Sequence, residues 1–167
     1  MTKKVEVKNL TKIFGKRSPR VKELITQGKT KAEILEQTGA TVGVNQANFH
    51  VNQGEIFVIM GLSGSGKSTL IRMINRLIEP TQGTISIDGQ DLMTLNKKEL
   101  REVRRQKMSM IFQNFALFPN RTILENTAYG LEIKGVKKNV REQKAHEALE
   151  LVGLHGYDHQ FPQQLSG

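Results

Sequence analysis

At 167 residues the chain is long enough to bury the core of one domain, and 37% hydrophobic residues suit a folded protein rather than a disordered one. The formal charge is +9, but only 5% of residues are aromatic and none interleaves with the basic stretch Leu100–Lys107. A stacking platform for nucleic acid is therefore missing, and no nucleic-acid partner is expected. The absence of cysteine excludes disulfides and thiolate metal sites. No apolar run approaches the ~18 residues of a membrane span, and the start MTKKVEVKNL lacks the apolar stretch of a cleaved signal, which points to the cytosol or the cytosolic side of a membrane.

In chain order, KVEVKNLTKIF spaces Val5, Val7 and Leu10 as a first strand with one buried face. Phe14 ends it, placed either to stack on an adenine ring or to serve as a core phenylalanine. Residues Ser18–Gly39 then read as two short helices inserted into a sheet. Pro19 follows Ser18 as a first-turn proline, and Val21, Leu24 and Ile25 form an apolar stripe. Thr30 and Glu33 have capping-box spacing, with Ile34 and Leu35 behind them and Gly39 as the stop. Gly43–Val51 is a second strand closed by the turn Asn52-Gln53-Gly54. The continuous apolar run Glu55–Met60 predicts a strand covered on both faces. A helix from Lys67 to about Ile78 carries Leu70, Ile71, Ile74, Leu77 and Ile78 at helical spacing. TISIDG alternates and closes on the hairpin dipeptide Asp88-Gly89. Asn96 with Glu99 and Thr122 with Glu125 mark two further helix starts, and Lys107–Phe112 between them reads as a buried strand. The tail from about Val140 is helical, with Ala145, Ala148, Leu149 and Val152 on one face and Gly153 as the stop.

The chemistry concentrates in GLSGSGKST, Gly61–Thr69, which has the spacing Gly, four residues, Gly, Lys, Ser or Thr between a strand and a helix. Gly61, Gly64 and Gly66 let the backbone curl so that N–H groups face phosphate oxygens, and the helix end adds its dipole. Lys67 is placed for the β- and γ-phosphates, Ser68 for Mg2+, and Thr69 toward the α-phosphate. Gln113, at the end of a strand, either reaches Mg2+ and an attacking water or is a surface residue. The loop after it holds Phe115, Leu117, Phe118 and Pro119, an apolar content that suits a partner surface or a small helical subdomain.

With the phosphate loop, Gln113 and the terminal Leu165-Ser166-Gly167 in that order, the chain resembles ABC-type ATPase subunits. More narrowly, it is similar to the ATP-binding subunits of bacterial importers for glycine betaine and related quaternary amines. The resemblance runs through GEIFVIMGLSGSGKSTLIRMINRLIEPTQG and LREVRRQKMSMIFQNFALFPNRTILENTAYG and includes the insertion at Ser18–Gly39. It implies an α/β P-loop NTPase fold with an antiparallel β subdomain (residues 1–60, insertion at 18–39). An incomplete RecA-like core would follow over 61–112, then a glutamine loop and helical subdomain over 113–167.

The resemblance also implies roles. Phe14 becomes the adenine platform; Gly61, Ser63, Gly64, Ser65, Gly66, Lys67, Ser68 and Thr69 hold the phosphates; Lys67 and Gln113 act in catalysis; and Ser68 and Gln113 face Mg2+. Leu165, Ser166 and Gly167 begin the signature motif, which meets the ATP of an opposite subunit in a head-to-tail dimer. The loop after Gln113 receives a transmembrane permease subunit, an extracytoplasmic substrate-binding protein takes part indirectly, and the protein sits on the cytoplasmic face of the membrane. The chain also departs from the family pattern. No apolar run ends in Asp-Glu; Asp88 is the nearest imitation and makes a better hairpin turn. None of His50, His146, His155 and His159 follows a late buried strand, and the second glycine of the signature is absent. The expectation is an N-terminal fragment that is poorly stable and does not hydrolyse ATP alone, with the flank of Glu55–Met60 bared. The rival readings are a soluble ABC ATPase acting on nucleic acid or the ribosome, and a complete, non-hydrolysing nucleotide-binding module.

Overall fold

The structure, a computed structural model, describes residues 2–16, 19–112 and 116–165. It divides into two compact units, Met1–Ser109 and Met110–Gly167. The first holds β1 (Lys3–Phe14), α1 (Pro19–Thr26), α2 (Lys31–Thr38), β2 (Thr41–Asn52), α3 (Lys67–Ile74), β3 (Gln82–Ile87), β4 (Gln90–Asp91) and α4 (Lys97–Lys107). The second holds α5 (Ile123–Ile133) and α6 (Lys138–Leu151).

The strands form one antiparallel sheet in the order β2-β1-β3-β4. Val5, Val7 and Leu10 cannot share a face under strict alternation, because the last step is three residues. A bulge resolves the conflict. Asn9 takes a φ of 50°, its N–H leaves the ladder to donate to Asn48 Oδ1 at 2.8 Å, and the register shifts between Val7 and Leu10. Val7 and Leu10 then join Met73, Ile85, Ile87, Leu92 and Val103 in one buried cluster. The Asp88-Gly89 turn has positive φ at both residues, 50° and 76°, and joins β3 to β4 as expected.

The insertion forms the two predicted helices. Thr30 Oγ1 accepts from the Glu33 amide at 3.3 Å while Glu33 Oε2 accepts from the Thr30 amide at 2.8 Å, and Gly39 ends α2 at a φ of 68°. Val21, Leu24 and Ile34 bury themselves against Ile13, Ala40 and Val42, so the insertion has its own apolar cluster on β1 and β2.

Up to Phe112, three expectations fail. Glu55–Met60 forms no strand: Phe57 stacks on Phe49 of β2 (centroids 4.9 Å apart, planes at 8°), but the other side is open, with Ile56 91%, Val58 66% and Met60 86% exposed. A strand needs a hydrogen-bonded neighbour, and none of the described residues lies beside this segment as one. The stretch Lys107–Phe112 is likewise no strand: Lys107 closes α4 and Ile111 is 91% exposed. Finally, α3 stops at Ile74 rather than near Ile78. Arg76 turns to a φ of 53° and donates to the Leu92 and Leu95 carbonyls at 2.6 and 3.2 Å, leaving Leu77 exposed.

In the second unit, the Thr122–Glu125 capping box opens α5, as Asn96–Glu99 opens α4 in the first. The first amides of α5 find carbonyl partners, Ile123 on Gln160 at 2.8 Å and Leu124 on Asp158 at 3.1 Å. His146 Nδ1 meets Asp158 Oδ1 at 2.8 Å, and this carboxylate raises the histidine above its ordinary pKa. Ala145 and Leu149 bury the inner face of α6, but the predicted Ala148 and Val152 are exposed.

The Thr30 box controls how firmly α2 is held. Thr30→Ala should loosen α2 by about 1 kcal/mol. Glu33 is held down from 4.5 to about 2, first by the Lys29 ammonium and then by the Thr30 amide and hydroxyl. Because the folded value is depressed, its contribution is full above the ordinary carboxylate pKa and is lost as pH falls toward about 2. The protection factor of the Ile34 amide, which donates to the Thr30 carbonyl, taken relative to the unstructured-chain rate at each pH, should therefore fall over that acidic window. Protection unchanged down to pH 2 would contradict this.

Candidate functional site

The loop Gly61–Gly66 leads into α3, whose first residue is Lys67. Gly66 occupies the cap position at a φ of 105° and has no side chain, so no capping side chain takes the first-turn amides. Lys67 folds back over the loop. Its Nζ donates to the Gly61 and Leu62 carbonyls, both at 2.7 Å, and to Ser65 Oγ at 3.4 Å, while the Ser65 amide closes a turn onto Leu62 at 3.2 Å. A lysine ammonium with three donors thus sits inside a ring of loop oxygens, beside uncapped amides. This is a cationic nest shaped for a polyanion.

What seats the loop is a contact between two glycines. A Cβ on Gly66 would fall inside the carbonyl oxygen of Gly43 on β2. A Cβ on Gly43 would lie 2.7 Å from Phe14 Cε2 and 3.4 Å from Thr69 Cγ2. Phe14, Thr69 and the loop are therefore neighbours around one bare stretch of β2. Phe14 belongs to neither buried cluster; the residue is 40% exposed, with the Lys12 ammonium 5.0 Å from its ring centroid. Beside it opens a cleft of about 340 Å3, lined by Lys31, Gly43, Asn45, Ser65, Gly66 and Lys67 together with apolar residues. Among the described residues, two lysines and no carboxylate line it.

Of the predicted site residues, the structure brings together Phe14, Gly61, Ser65, Gly66, Lys67 and Thr69, with Ser63, Gly64 and Ser68 exposed in the same loop and helix start. Leu165 lies in the second unit, half-buried, its amide donating to the Pro162 carbonyl at 3.3 Å. Gln113, Ser166 and Gly167 fall outside the described residues, as does Phe115. Sequence reasoning missed Gly43 and Lys31. A glycine inside a strand signals close approach of another backbone, which was a usable hint for Gly43. Nothing local marks Lys31, which lies 34 positions from Ser65.

A family model described as ABC transporter matches residues 44–167. The chain belongs to the ABC transporter family. It is 64% identical, over 98% of its length, to the glycine betaine transport ATP-binding protein OpuAA of Bacillus subtilis (strain 168), covering 39% of that protein. It is 53% identical, over its whole length, to the glycine betaine/proline betaine transport system ATP-binding protein ProV of Escherichia coli (strain K12), covering 42% of it. The chain thus spans about two fifths of the length of these curated relatives. Among solved structures it is similar to the ATP-binding cassette MJ0796, a dimer in a post-hydrolysis state bound to ADP and Pi. The TM-score is 0.76 at 31% identity, covering 97% of this chain and 63% of that one. The fold is accordingly that of an ABC ATPase cassette. Among the described residues, no helix is long and apolar enough to cross a membrane.

The glycine contact yields two expectations. Gly66→Ala places a side chain on the Gly43 carbonyl at a left-handed φ, and should cost about 2 kcal/mol or more in chemical unfolding. Gly43→Ala meets only the movable Phe14 ring first, so it should displace that ring with a smaller loss of stability, read as a change in phenylalanine fluorescence or ring NMR shifts. Equal costs for the two changes would show that the loop does not rest on β2.

Proposed function

We propose that this chain binds ATP as the energy-coupling component of an ABC importer for glycine betaine, proline betaine and similar osmoprotectants. The observation that carries nucleotide binding is the Lys67 ammonium held at the centre of the phosphate loop by Gly61, Leu62 and Ser65. The transported class rests on the similarity to the glycine betaine proteins of Bacillus subtilis and Escherichia coli.

In this structure the donors of Lys67 are spent on backbone carbonyls and one hydroxyl. The β- and γ-phosphate oxygens of ATP are stronger, charged acceptors and replace them. The first-turn amides of α3 and the Gly64 and Gly66 backbone receive the remaining phosphate oxygens, with Ser63 and Ser65 at the loop's rim and Thr69 toward the α-phosphate. Phe14, partly exposed, adjacent to Gly43 and Thr69 and with the Lys12 ammonium over its ring, is placed to stack on the adenine. The exposed Ser68 hydroxyl follows Lys67 directly and suits Mg2+, a hard cation that takes few protein ligands and arrives with the nucleotide phosphates. Among the described residues, no other group of His, Asp or Glu side chains forms a metal site. Ser68 would hold Mg2+, which would supply charge neutralisation at the nucleotide's phosphate oxygens. Gln113 orients the attacking water, and Lys67 stabilises charge on the transferred phosphoryl group.

In this reading residues 1–60 together with β3 and β4 form the β subdomain, the rest of 61–112 the nucleotide core, and 113–167 the glutamine loop and helical subdomain. Leu165, Ser166 and Gly167 address the γ-phosphate held by a second ATPase subunit in a head-to-tail dimer. The loop around Leu117 and Phe118, both exposed, docks a permease subunit on the cytoplasmic face of the membrane. The substrate-binding protein acts from the other side.

Among the described residues no carboxylate lines the cleft, so this chain by itself should bind ATP without turning it over. In the full-length protein, Lys67→Ala should reduce ATP affinity at least tenfold and abolish transport-coupled hydrolysis, read by calorimetry and phosphate release. A cysteine introduced by Leu117→Cys should crosslink to a transmembrane subunit in native membranes. Crosslinking to ribosomal or nucleic-acid-bound proteins instead, with no membrane product, would replace the importer reading with a soluble ATPase.

A further inference from the structure

The two-helix insertion reaches the phosphate loop. Lys31, the first residue of α2, places its Nζ 3.5 Å from the Ser65 carbonyl oxygen and lines the same cleft as Lys67. Both ammonium groups converge on Ser65, Lys67 on its hydroxyl at 3.4 Å and Lys31 on its carbonyl. Lys31 pairs with no carboxylate among the described residues. The nearest acid on its helix, Glu33, is already held by Lys29 at 2.8 Å and by the Thr30 amide and hydroxyl. A carbonyl at 3.5 Å is a weak partner for an ammonium, and a phosphate oxygen is a much better one.

The position is also fixed rather than adventitious. Three constraints hold the start of α2: the Thr30–Glu33 capping box, the burial of Ile34 with Val21 and Leu24, and the packing of that cluster on Ile13 and Val42. Ile13 and Val42 adjoin Phe14 and Gly43 in the chain, so the strands that position the ring and the loop also position Lys31. An anchored helix delivers the cation at a lower ordering cost than a free loop would.

We propose that Lys31 is a second phosphate-binding cation of the nucleotide cleft, supplied by the insertion within the same chain, and that it contacts the polyphosphate of the bound nucleotide. The proposal rests on the ATP-binding reading above. It gives the insertion a direct part in nucleotide affinity, and it makes that affinity depend on α2 being folded.

The test measures ATP, ADP and AMP affinities by calorimetry on the full-length protein, for Lys31→Ala, Lys31→Met, Lys31→Arg and Lys67→Ala. Lys31→Met keeps most of the hydrocarbon stem, so it separates loss of charge from loss of packing. The expected result is that Lys31→Ala and Lys31→Met weaken ATP about tenfold and AMP far less, that Lys31→Arg stays close to wild type, and that the salt dependence of ATP binding becomes shallower. Two results overturn the proposal: unchanged ATP affinity in Lys31→Met while Lys67→Ala loses binding, or an equal loss for all three nucleotides with a lowered melting temperature. If Lys67→Ala also leaves ATP affinity unchanged, the nucleotide-binding reading itself fails, and the proposal falls with it.

Discussion

The site depends on one close approach, the backbone of Gly66 lying against the carbonyl of Gly43. No residue with a Cβ fits at Gly66 without moving β2, and none fits at Gly43 without moving the Phe14 ring. The pair sets the height of the phosphate loop above the sheet, and with it where Lys67 can fold back and where α3 begins. Once α3 starts there, Met73 falls into the main buried cluster and the partly buried Leu70 and Ile74 pack on its edge. The loop's shape is therefore held from below by the sheet and from within by the lysine's own hydrogen bonds. Those bonds run to neutral oxygens, which are weaker acceptors for an ammonium than charged ones.

The sheet that carries this contact has two separate apolar clusters, and the second belongs to the insertion. Leucine and isoleucine side chains from α1 and α2 cover the ends of β1 and β2 nearest Phe14 and Gly43. Covering those ends stabilises the strand positions from which the site is built, and it brings a lysine from α2 within reach of Ser65. An inserted element, in this arrangement, is both a support and a contributor of charge.

Local signals in the sequence were read well wherever a residue satisfies its own neighbours. Thr30, Asn96 and Thr122 each close a capping box with the Glu three positions on, and helices begin there because those bonds need nothing distant. The Asp88-Gly89 hairpin is equally local. Signals that needed a distant partner misled. Glu55–Met60 has the composition of a buried strand, yet composition supplies no hydrogen-bonded neighbour, and the segment rests only through Phe57 on Phe49. Lys107–Phe112 fails for the same reason. On α3 and α6 the helical spacing of apolar residues runs past the helix itself, because Arg76 finds carbonyl partners that turn the chain, and because Val152 lies beyond the last turn of α6.

The order of residues in Gly61–Thr69 by itself determined the phosphate loop, since the curl, the helix start and the lysine all lie within nine consecutive positions. It also determined the helix starts and the hairpin, which are closed by bonds spanning three residues or fewer. Only the tertiary structure decided that Phe14 lies outside the core beside Thr69, that Gly43 is the seat of the loop, and that Lys31 reaches Ser65. Those pairings join residues tens of positions apart. They are set by strand register and by the burial of a second apolar cluster, neither of which a run of adjacent residues encodes.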